Sequence, residues 1–404
     1  MQTKLPDSLL ATTQGKQADA ILRKCVHCGF CTATCPTYQI LGDELDSPRG
    51  RIYLIKQMLE GEPVTRKTQL HLDRCLTCRS CETTCPSGVE YGHLIDIGRS
   101  IAEQKIKRHF SQRLFRKYLS KLISSNELFS FAFKAGRAVR WGLPVSIKNK
   151  LHKNNTSVAW SHYRSDKKII LLTGCAQASM APEIDKQLSH LLAASKVETY
   201  PIAGCCGSAA HHLGQEKPAL KYAKFNIDNW YKKLNNGFNA ICMSASGCGI
   251  AIKEYKHLFP FNSTYYKKAE FIADKFKDPI ELLDVELLQK NIDTSVLEYA
   301  FHPPCTLQHG LHLDTKVEKT LNEFGLKLKP FSERHLCCGS AGTYSITQAK
   351  ISNALLQRKL DHIESQSVDM ILTANIGCMN HLQGGTRTPV RHWISEVYKL
   401  IQDN

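Results

Sequence analysis

Residues 25–36 read C-V-H-C-G-F-C-T-A-T-C-P, and residues 75–86 repeat the same spacing as C-L-T-C-R-S-C-E-T-T-C-P. In each stretch three cysteines recur at every third position, and a fourth follows just before a proline. Three thiolates at this spacing can surround one face of an iron–sulfur cubane, while the fourth lies on the chain as it leaves. The proline fixes φ and turns the chain away after the last cysteine. The two stretches therefore predict two [4Fe–4S] clusters.

The order of the cysteines also predicts how the two clusters share them. In two-cluster ferredoxins the fourth cysteine of each motif ligates the other cluster. We therefore expect one cluster to be bound by Cys25, Cys28, Cys31 and Cys85. We expect the other to be bound by Cys35, Cys75, Cys78 and Cys81. Structural zinc sites use well-separated cysteine pairs, and cysteines three residues apart form disulfides with difficulty, so both alternatives are disfavoured.

The segment between the two motifs has the signals of a helix. Ser47-Pro48 supplies an N-cap and a proline at the first helical position, and Gly61 follows the last apolar residue. This order of cap, proline and glycine is typical of a complete helix. A helix between the motifs favours a helical ferredoxin module, which we place at residues 1–98, over the compact βαβ kind.

A second cysteine pattern occurs twice in the C-terminal part of the chain. Cys175, Cys205, Cys206 and Cys248 correspond to Cys305, Cys337, Cys338 and Cys378, at offsets of 130 or 132 residues, and both copies contain C-C-G-S-A. Offsets of this size indicate a duplicated domain. Short apolar runs such as 169–172 and 370–372 predict buried parallel strands, and 181–194 and 351–363 have helical spacing. We expect an α+β multidomain fold, with the helical two-cluster ferredoxin module followed by α/β cysteine-rich domains at 166–295 and 296–404.

The role of these eight further cysteines stays open at this stage. Four thiols gathered at strand ends could bind an additional iron–sulfur cluster or zinc in each repeat. They could equally be buried as small apolar residues, and a vicinal disulfide is a third, less favoured alternative.

The net charge of +16 is concentrated in a connector at residues 99–165. From Arg99 to Lys168 there are 17 Lys and Arg against three acidic residues, interleaved with aromatic and aliphatic side chains. Such a composition fits a helix on an anionic lipid surface, a solvated linker, or a nucleic-acid-binding segment, although no nucleic-acid recognition motif is present. With 17 cysteines, no secretory leader and no apolar run of membrane-spanning length, we expect a cytoplasmic protein bound peripherally to the inner membrane.

The quoted residues resemble the iron–sulfur subunit of bacterial glycolate oxidase (glycolate dehydrogenase). The similarity lies in residues 21–57, which contain the first motif and S-P-R-G-R-I, and in residues 71–89, which contain the second motif. It continues in H-L-C-C-G-S-A-G-T-Y and T-A-N-I-G-C of the second repeat. It implies two [4Fe–4S] clusters, two FAD-binding flavoprotein-type partners that oxidise glycolate to glyoxylate, and electron flow toward quinone or the respiratory chain. In heterodisulfide reductases the repeat ends in C-x-x-C, but Ala245 and Asn375 replace the first of those cysteines here, so that chemistry is not carried over.

The sequence therefore predicts an electron-transfer subunit of an oxidoreductase, with no catalytic residue of its own and no flavin on this chain. No acid–base pair, nucleophile constellation or Gly-rich nucleotide loop is evident, so the substrate site belongs to the partners. A subunit of a related lactate or glycerol-3-phosphate dehydrogenase is the alternative. Two further alternatives are a self-contained cluster enzyme and a nucleic-acid-binding cluster protein.

Overall fold

The computed structural model describes residues 1–142, 158–289 and 296–402. It confirms the predicted fold class: a helical N-terminal part is followed by two similar units, each with a four-stranded parallel sheet. Residues 143–157 of the predicted connector, and the predicted boundary at 295, lie outside the described residues.

The N-terminal part consists of helices that surround one apolar core. They are Asp7–Leu10, Thr13–Lys24, Phe30–Ala33, Pro36–Leu41, Pro48–Leu59, Arg66–Asp73, Ser80–Thr84 and Tyr91–Lys105. Pro48–Leu59 begins as the sequence predicts, because Ser47 Oγ accepts the N–H of Gly50. Its buried Ile55 packs closely on Gly98 of the last helix, which extends through residue 98 to Lys105.

A buried ionic network joins the segments that lead into the two cysteine motifs. Arg51 is 1% exposed and donates from Nη2 to Asp46 Oδ1 at 3.2 Å and from Nε to the carbonyl oxygen of His71 at 2.7 Å. Asp46 is fully buried and also accepts from Arg74 Nη1 at 2.7 Å. Buried charges of this kind must be paired, since desolvation penalises each charged group. The network fixes the Cys35 segment, through Thr37, against the Cys75 segment.

Two helices, Phe110–Ser124 and Asn126–Ala138, form the described part of the basic connector. A short 3-10 turn at Arg140–Gly142 follows them. Several of their aromatic side chains are exposed, including Phe110 and Phe131, each at 74%. Within the described ranges, no helix combines the length and the apolar character needed to cross a bilayer.

The first repeat contains the parallel strands β1 (Lys168–Gly174), β2 (Glu198–Gly204), β3 (Ala240–Cys242) and β4 (Phe276–Lys277), in the order β2-β1-β3-β4. Its helices are Gln177–Met180, Pro182–Ala194, Ser208–His212, Glu216–Leu234, Ser246–Lys253, Thr264–Lys275 and Val285–Leu288, with 3-10 turns at Tyr255–Leu258 and Pro279–Glu281.

The second repeat contains β5 (Glu298–His302), β6 (Lys327–Leu328), β7 (Met370–Thr373) and β8 (Val390–His392), in the equivalent order β6-β5-β7-β8. Its helices are Asp314–Glu323, Tyr344–Thr347, Ala349–Glu364, Ile376–Gln383 and Trp393–Gln402, with a π-helical turn at Thr306–Leu311. The matching strand order confirms the internal duplication that the cysteine offsets indicate.

One hydrophobic cluster spans the two repeats, and each repeat has a further apolar cluster of its own. Buried side chains from both sheets, among them Leu171 of β1 and Phe301 of β5, belong to the same apolar cluster. Helix Pro182–Ala194 packs on Trp393–Gln402, and Ser395 Oγ donates to Gln187 Oε1 at 2.6 Å between them. The repeats therefore form a rigid platform whose strand ends carry the cysteines.

We expect Asp46→Asn to lower the free energy of unfolding of the N-terminal part by about 3–5 kcal/mol, because Arg51 would keep a buried charge without its carboxylate. Urea unfolding followed by far-ultraviolet circular dichroism, under anaerobic conditions, measures the change. Glu90→Gln is the control: it breaks the Lys24–Glu90 ion pair, whose side chains are 45% and 55% exposed, and should cost under about 1 kcal/mol. Equal stability of the two variants would contradict the prediction.

Candidate functional site

One group of thiols surrounds a small pocket between the first motif and the end of the second. The pocket has a volume of about 30 Å³ and is lined by the cysteines Cys25, Cys28, Cys31, Cys81 and Cys85, among others. Burial, followed by the charge of Cys25, raises the pKa of Cys31 to about 11, and Cys85 adds to this shift. The four cysteines predicted for the first cluster thus lie together, with Cys81 of the predicted second set also reaching this pocket.

A second group forms on the other side of the second motif. Burial, and then the charges of neighbouring thiols that include Cys75 and Cys35, raise the pKa of Cys78. Burial and the charges of Cys78, Cys75 and Cys35 likewise raise the pKa of Cys81. Cys35 comes from the first motif, so the fourth cysteine of each motif lies beside thiols of the other motif.

The two motifs have the same unusual backbone. His27 and Gly29 have φ values of +56° and +86°, and the equivalent Thr77 and Arg79 have +55° and +63°. Left-handed conformations at residues other than glycine are uncommon and are concentrated at functional sites. In the second loop this conformation lets a backbone N–H face a sulfur, since Thr77 N–H donates to Cys75 Sγ at 3.3 Å. Apart from Gly29, no local sequence signal predicts these left-handed residues.

Each cysteine-rich repeat gathers four thiols beyond the carboxyl ends of its strands. Cys175 follows β1 directly, and Cys205 follows β2, as open parallel sheets require of a ligand site. The glycine of each C-C-G triplet has a positive φ, +82° at Gly207 and +88° at Gly339. A Cβ at Gly339 would lie 2.4 Å from the carbonyl oxygen of Ser352, so the triplet needs glycine for space as well as for conformation. All 17 cysteines lie within the described ranges and all are free thiols.

The four thiols of each repeat interact with one another. In the first repeat, hydrogen bonds from Cys175 and Cys206 lower the pKa of Cys205, and Cys206 in turn contacts Cys248. In the second, hydrogen bonds from Cys337 and Cys378 lower the pKa of Cys338, while hydrogen bonding to Cys305 raises the pKa of Cys337. Desolvated thiols in mutual contact are suited to share a cation, which would stabilise several thiolates at once.

A cavity of about 430 Å³ connects the second motif with both repeats. Nine cysteines from three of the four groups line it: Cys75, Cys78, Cys175, Cys205, Cys206, Cys248, Cys305, Cys337 and Cys378. Cys78 packs in the same apolar cluster as Cys305 and Cys337. The sequence predicts the separate groups, but it gives no sign that they face a common space.

Polar contacts hold the N-terminal helices against the repeats around this cavity. Arg79 forms a two-pronged ion pair with Glu254, and Tyr344 Oη donates to the carbonyl oxygen of Arg74 at 2.8 Å. His211 Nε2 lies 3.3 Å from Asp96 Oδ2; although burial acts in the opposite direction, this neighbour lowers the pKa of Asp96. Sequence reasoning missed these residues, because their partners are more than 100 positions away along the chain.

Comparisons with known proteins agree with this arrangement. The 4Fe-4S dicluster domain family matches residues 21–89, and the Cysteine-rich domain family matches twice, at residues 169–253 and 299–383. The two cysteine-rich matches correspond to the two halves of the duplication that the sheets show.

Among curated proteins, the glycolate oxidase iron-sulfur subunit of Escherichia coli (strain K12) is 44% identical over 405 residues, which cover 100% of both chains. The probable glycolate oxidase iron-sulfur subunit of Bacillus subtilis (strain 168) is 29% identical, with 90% of this chain and 89% of that protein covered. Lactate utilization protein A 2 of Bacillus cereus (strain Q1) is 27% identical over 54% of this chain and 91% of that protein. With the full-length match at 44% identity, the chain belongs to the family of glycolate oxidase iron–sulfur subunits.

Proposed function

We propose that this chain is the electron-transfer subunit of a glycolate oxidase complex, which passes electrons from a flavoprotein partner toward quinone or another respiratory acceptor. The observation that supports this most strongly is the continuity of the thiol groups. Cys78 of the second motif packs beside Cys305 of the second repeat, and three thiol groups line one cavity. When bound, a [4Fe–4S] cluster accepts and releases one electron at a time.

The residues present fit two such clusters. Cys25, Cys28, Cys31 and Cys85 would hold one, and Cys35, Cys75, Cys78 and Cys81 the other. The small pocket among the first set and the mutual pKa effects among the second support this assignment. The density of sulfur also supports it, because seven of the eight cysteines are buried or partly buried and only Cys28 is exposed.

Nearby cationic side chains would stabilise the thiolates of the second set. Arg51 is fully buried, and burial by itself would lower its pKa. The neighbouring Tyr91, Cys75 and Cys35 outweigh this effect and raise the pKa. Arg99 donates to the carbonyl oxygen of Cys75 at 2.5 Å and to Thr77 Oγ1 at 2.8 Å, which fixes the loop. Fixed charges and N–H donors around the sulfurs are the means by which a protein sets the potential of a cluster.

We assign the oxidation of glycolate to glyoxylate to two FAD-binding partner subunits. The reaction removes two electrons and two protons, and a flavin can accept both electrons together and release them singly. This chain would supply no catalytic residue. A role in lactate or glycerol-3-phosphate oxidation is the second candidate, supported for lactate by the 27% identity to a lactate utilization protein; that similarity covers only 54% of the chain.

The cysteine-rich repeats would bind further iron–sulfur clusters or zinc. The sets Cys175, Cys205, Cys206, Cys248 and Cys305, Cys337, Cys338, Cys378 each form a continuous chain of thiol contacts. An iron–sulfur cluster at either set would lie on a path for electrons that leave the second ferredoxin-type cluster.

The connector helices would dock the complex on the cytoplasmic face of the inner membrane. Basic residues surround exposed aromatic side chains in Phe110–Ser124 and Asn126–Ala138. Cationic side chains are drawn to anionic lipid, and aromatic side chains gain free energy in the headgroup region.

We expect Cys28→Ala to remove one cluster without unfolding the chain, because Cys28 is exposed. The iron content should fall by about four atoms per chain, because one cubane of four irons is lost. Iron and acid-labile sulfide, measured with the paramagnetic resonance of the reduced protein, test this. Cys242→Ala is the control, since Cys242 is a buried core cysteine outside all four groups; equal iron in both variants would count against the assignment.

We expect Cys78→Ala to uncouple glycolate oxidation from quinone reduction in the intact complex. Glycolate should still bleach the flavin absorption of the partners, while quinone reduction falls at least tenfold, because the second cluster loses a ligand. Cys242→Ala should leave both rates unchanged. Unaltered quinone reduction in the Cys78→Ala variant would contradict the proposed electron-transfer role. Glycolate turnover by this chain alone would favour a self-contained cluster enzyme.

We expect the double variant Phe110→Ser, Phe131→Ser to bind vesicles of anionic lipid at least tenfold more weakly, since burying each phenylalanine contributes about 1.5–3 kcal/mol. Co-sedimentation with vesicles measures the binding. Phe225→Ser is the matched control, because Phe225 is 66% exposed on a helix of the first repeat. Equal binding to neutral vesicles, or no loss in the double variant, would contradict membrane docking.

A further inference from the structure

The two cysteine-rich repeats differ at one position that lies beside their thiols. In the second repeat β5 ends in the sequence H-P-P-C, with His302 three residues before Cys305. In the first repeat the equivalent sequence is L-T-G-C, with Leu172 three residues before Cys175. A histidine therefore replaces an apolar core residue in one copy only.

His302 is buried but has no conventional hydrogen-bond partner. Its exposure is 0%, and neither Nδ1 nor Nε2 has an oxygen or nitrogen partner among the described residues. The polar group that interacts with the ring is the thiol of Cys338. Because buried polar groups in native proteins usually have a partner, the sulfurs of this repeat supply the polar surroundings of the imidazole.

The imidazole is directed at the thiols of its own repeat. One ring nitrogen of His302, Cys338 Sγ and Cys378 Sγ all lie within 4.8 Å of one another. Cys338 contacts Cys337, which contacts Cys305, so two further sulfurs of the repeat continue from Cys338.

The spacing of the donors distinguishes a single ion from a cubane. Two donors on one zinc ion, at about 2.0–2.3 Å each, cannot be more than about 4.6 Å apart. The three donors here all lie within 4.8 Å of one another, so they fit around a single ion with little adjustment. In a [4Fe–4S] cluster each thiolate binds a different iron, so the ligands stand further apart. Three sulfur ligands with one imidazole make a closed tetrahedral set typical of structural zinc.

We propose that the second repeat binds one Zn²⁺ ion through His302, Cys338 and Cys378, with Cys305 or Cys337 as the fourth ligand. Three thiolates, a neutral imidazole and Zn²⁺ carry a net charge of −1. Lys359, which is 2% exposed, supplies a positive charge close to these thiols. The first repeat, with Leu172, is not part of this site. The proposal does not depend on the two N-terminal clusters.

The test measures zinc, iron and acid-labile sulfide in the full-length chain, purified without oxygen from cells supplied with both metals. We expect about one zinc per chain in the wild type. His302→Leu, which reproduces the residue of the first repeat, should lower the zinc content at least tenfold, and Cys338→Ser should do the same. His302→Cys replaces the imidazole by a thiolate ligand and should retain zinc even if His302→Leu fails to fold.

Two controls separate ligation from packing. His392→Leu changes a histidine that is 1% exposed at the end of β8, and Cys242→Ala changes a buried cysteine of β3 that lies outside the four thiol groups; both should keep the zinc. With Co²⁺ in place of zinc, the thiolate-to-cobalt absorption should change between wild type and His302→Cys, which a purely structural role would not produce.

Two results would overturn the proposal. One is zinc at the wild-type level in His302→Leu. The other is iron with sulfide that disappears in Cys338→Ser but not in His302→Leu, since this would place a cluster on the cysteines alone. The reduced paramagnetic signals of the N-terminal clusters should be the same in all these variants, so their absence would count against the relay and not against the zinc site.

Discussion

The buried carboxylate of Asp46 holds the two cysteine loops at a fixed distance from each other. Arg51 and Arg74 approach it from different segments, and Thr37 and His71 connect the same network to the chain beside Cys35 and Cys75. Desolvated charges tolerate little displacement, because each loses its compensation when the other moves. A crossed arrangement of thiols, with one ligand of each cluster coming from the other loop, needs this kind of rigid spacing.

Fixed contacts also hold the N-terminal helical part against the two repeats. The loop that carries Cys78 packs on Cys305 and Cys337, and the Arg79–Glu254 ion pair closes the junction on its other side. Because one hydrophobic cluster spans both sheets, movement of one repeat relative to the other would disturb both cysteine groups. The protein thus keeps its cysteine groups at fixed separations, which electron transfer between clusters bound there would require.

Much of this arrangement could be predicted from local sequence signals. The strand before Cys175, the helix after Ser47 and the duplication follow from apolar periodicity, capping and spacing, all of which act over a few residues or repeat visibly. The charge network around Asp46 and the pairing of Asp96 with His211 could not, since each depends on which surfaces meet after folding. The special position of His302 could be noticed only by aligning the repeats, and its burial only from the structure.

The edges of the two sheets expose little free strand, which matters before any metal is bound. Three of the four outer strands, β4, β6 and β8, are only two or three residues long, and the remaining one, β2, contains Pro201. Short edges and a missing amide donor leave little template on which another polypeptide could add a strand. A newly made chain that waits for its inorganic cofactors is thereby protected from aggregation through its sheets.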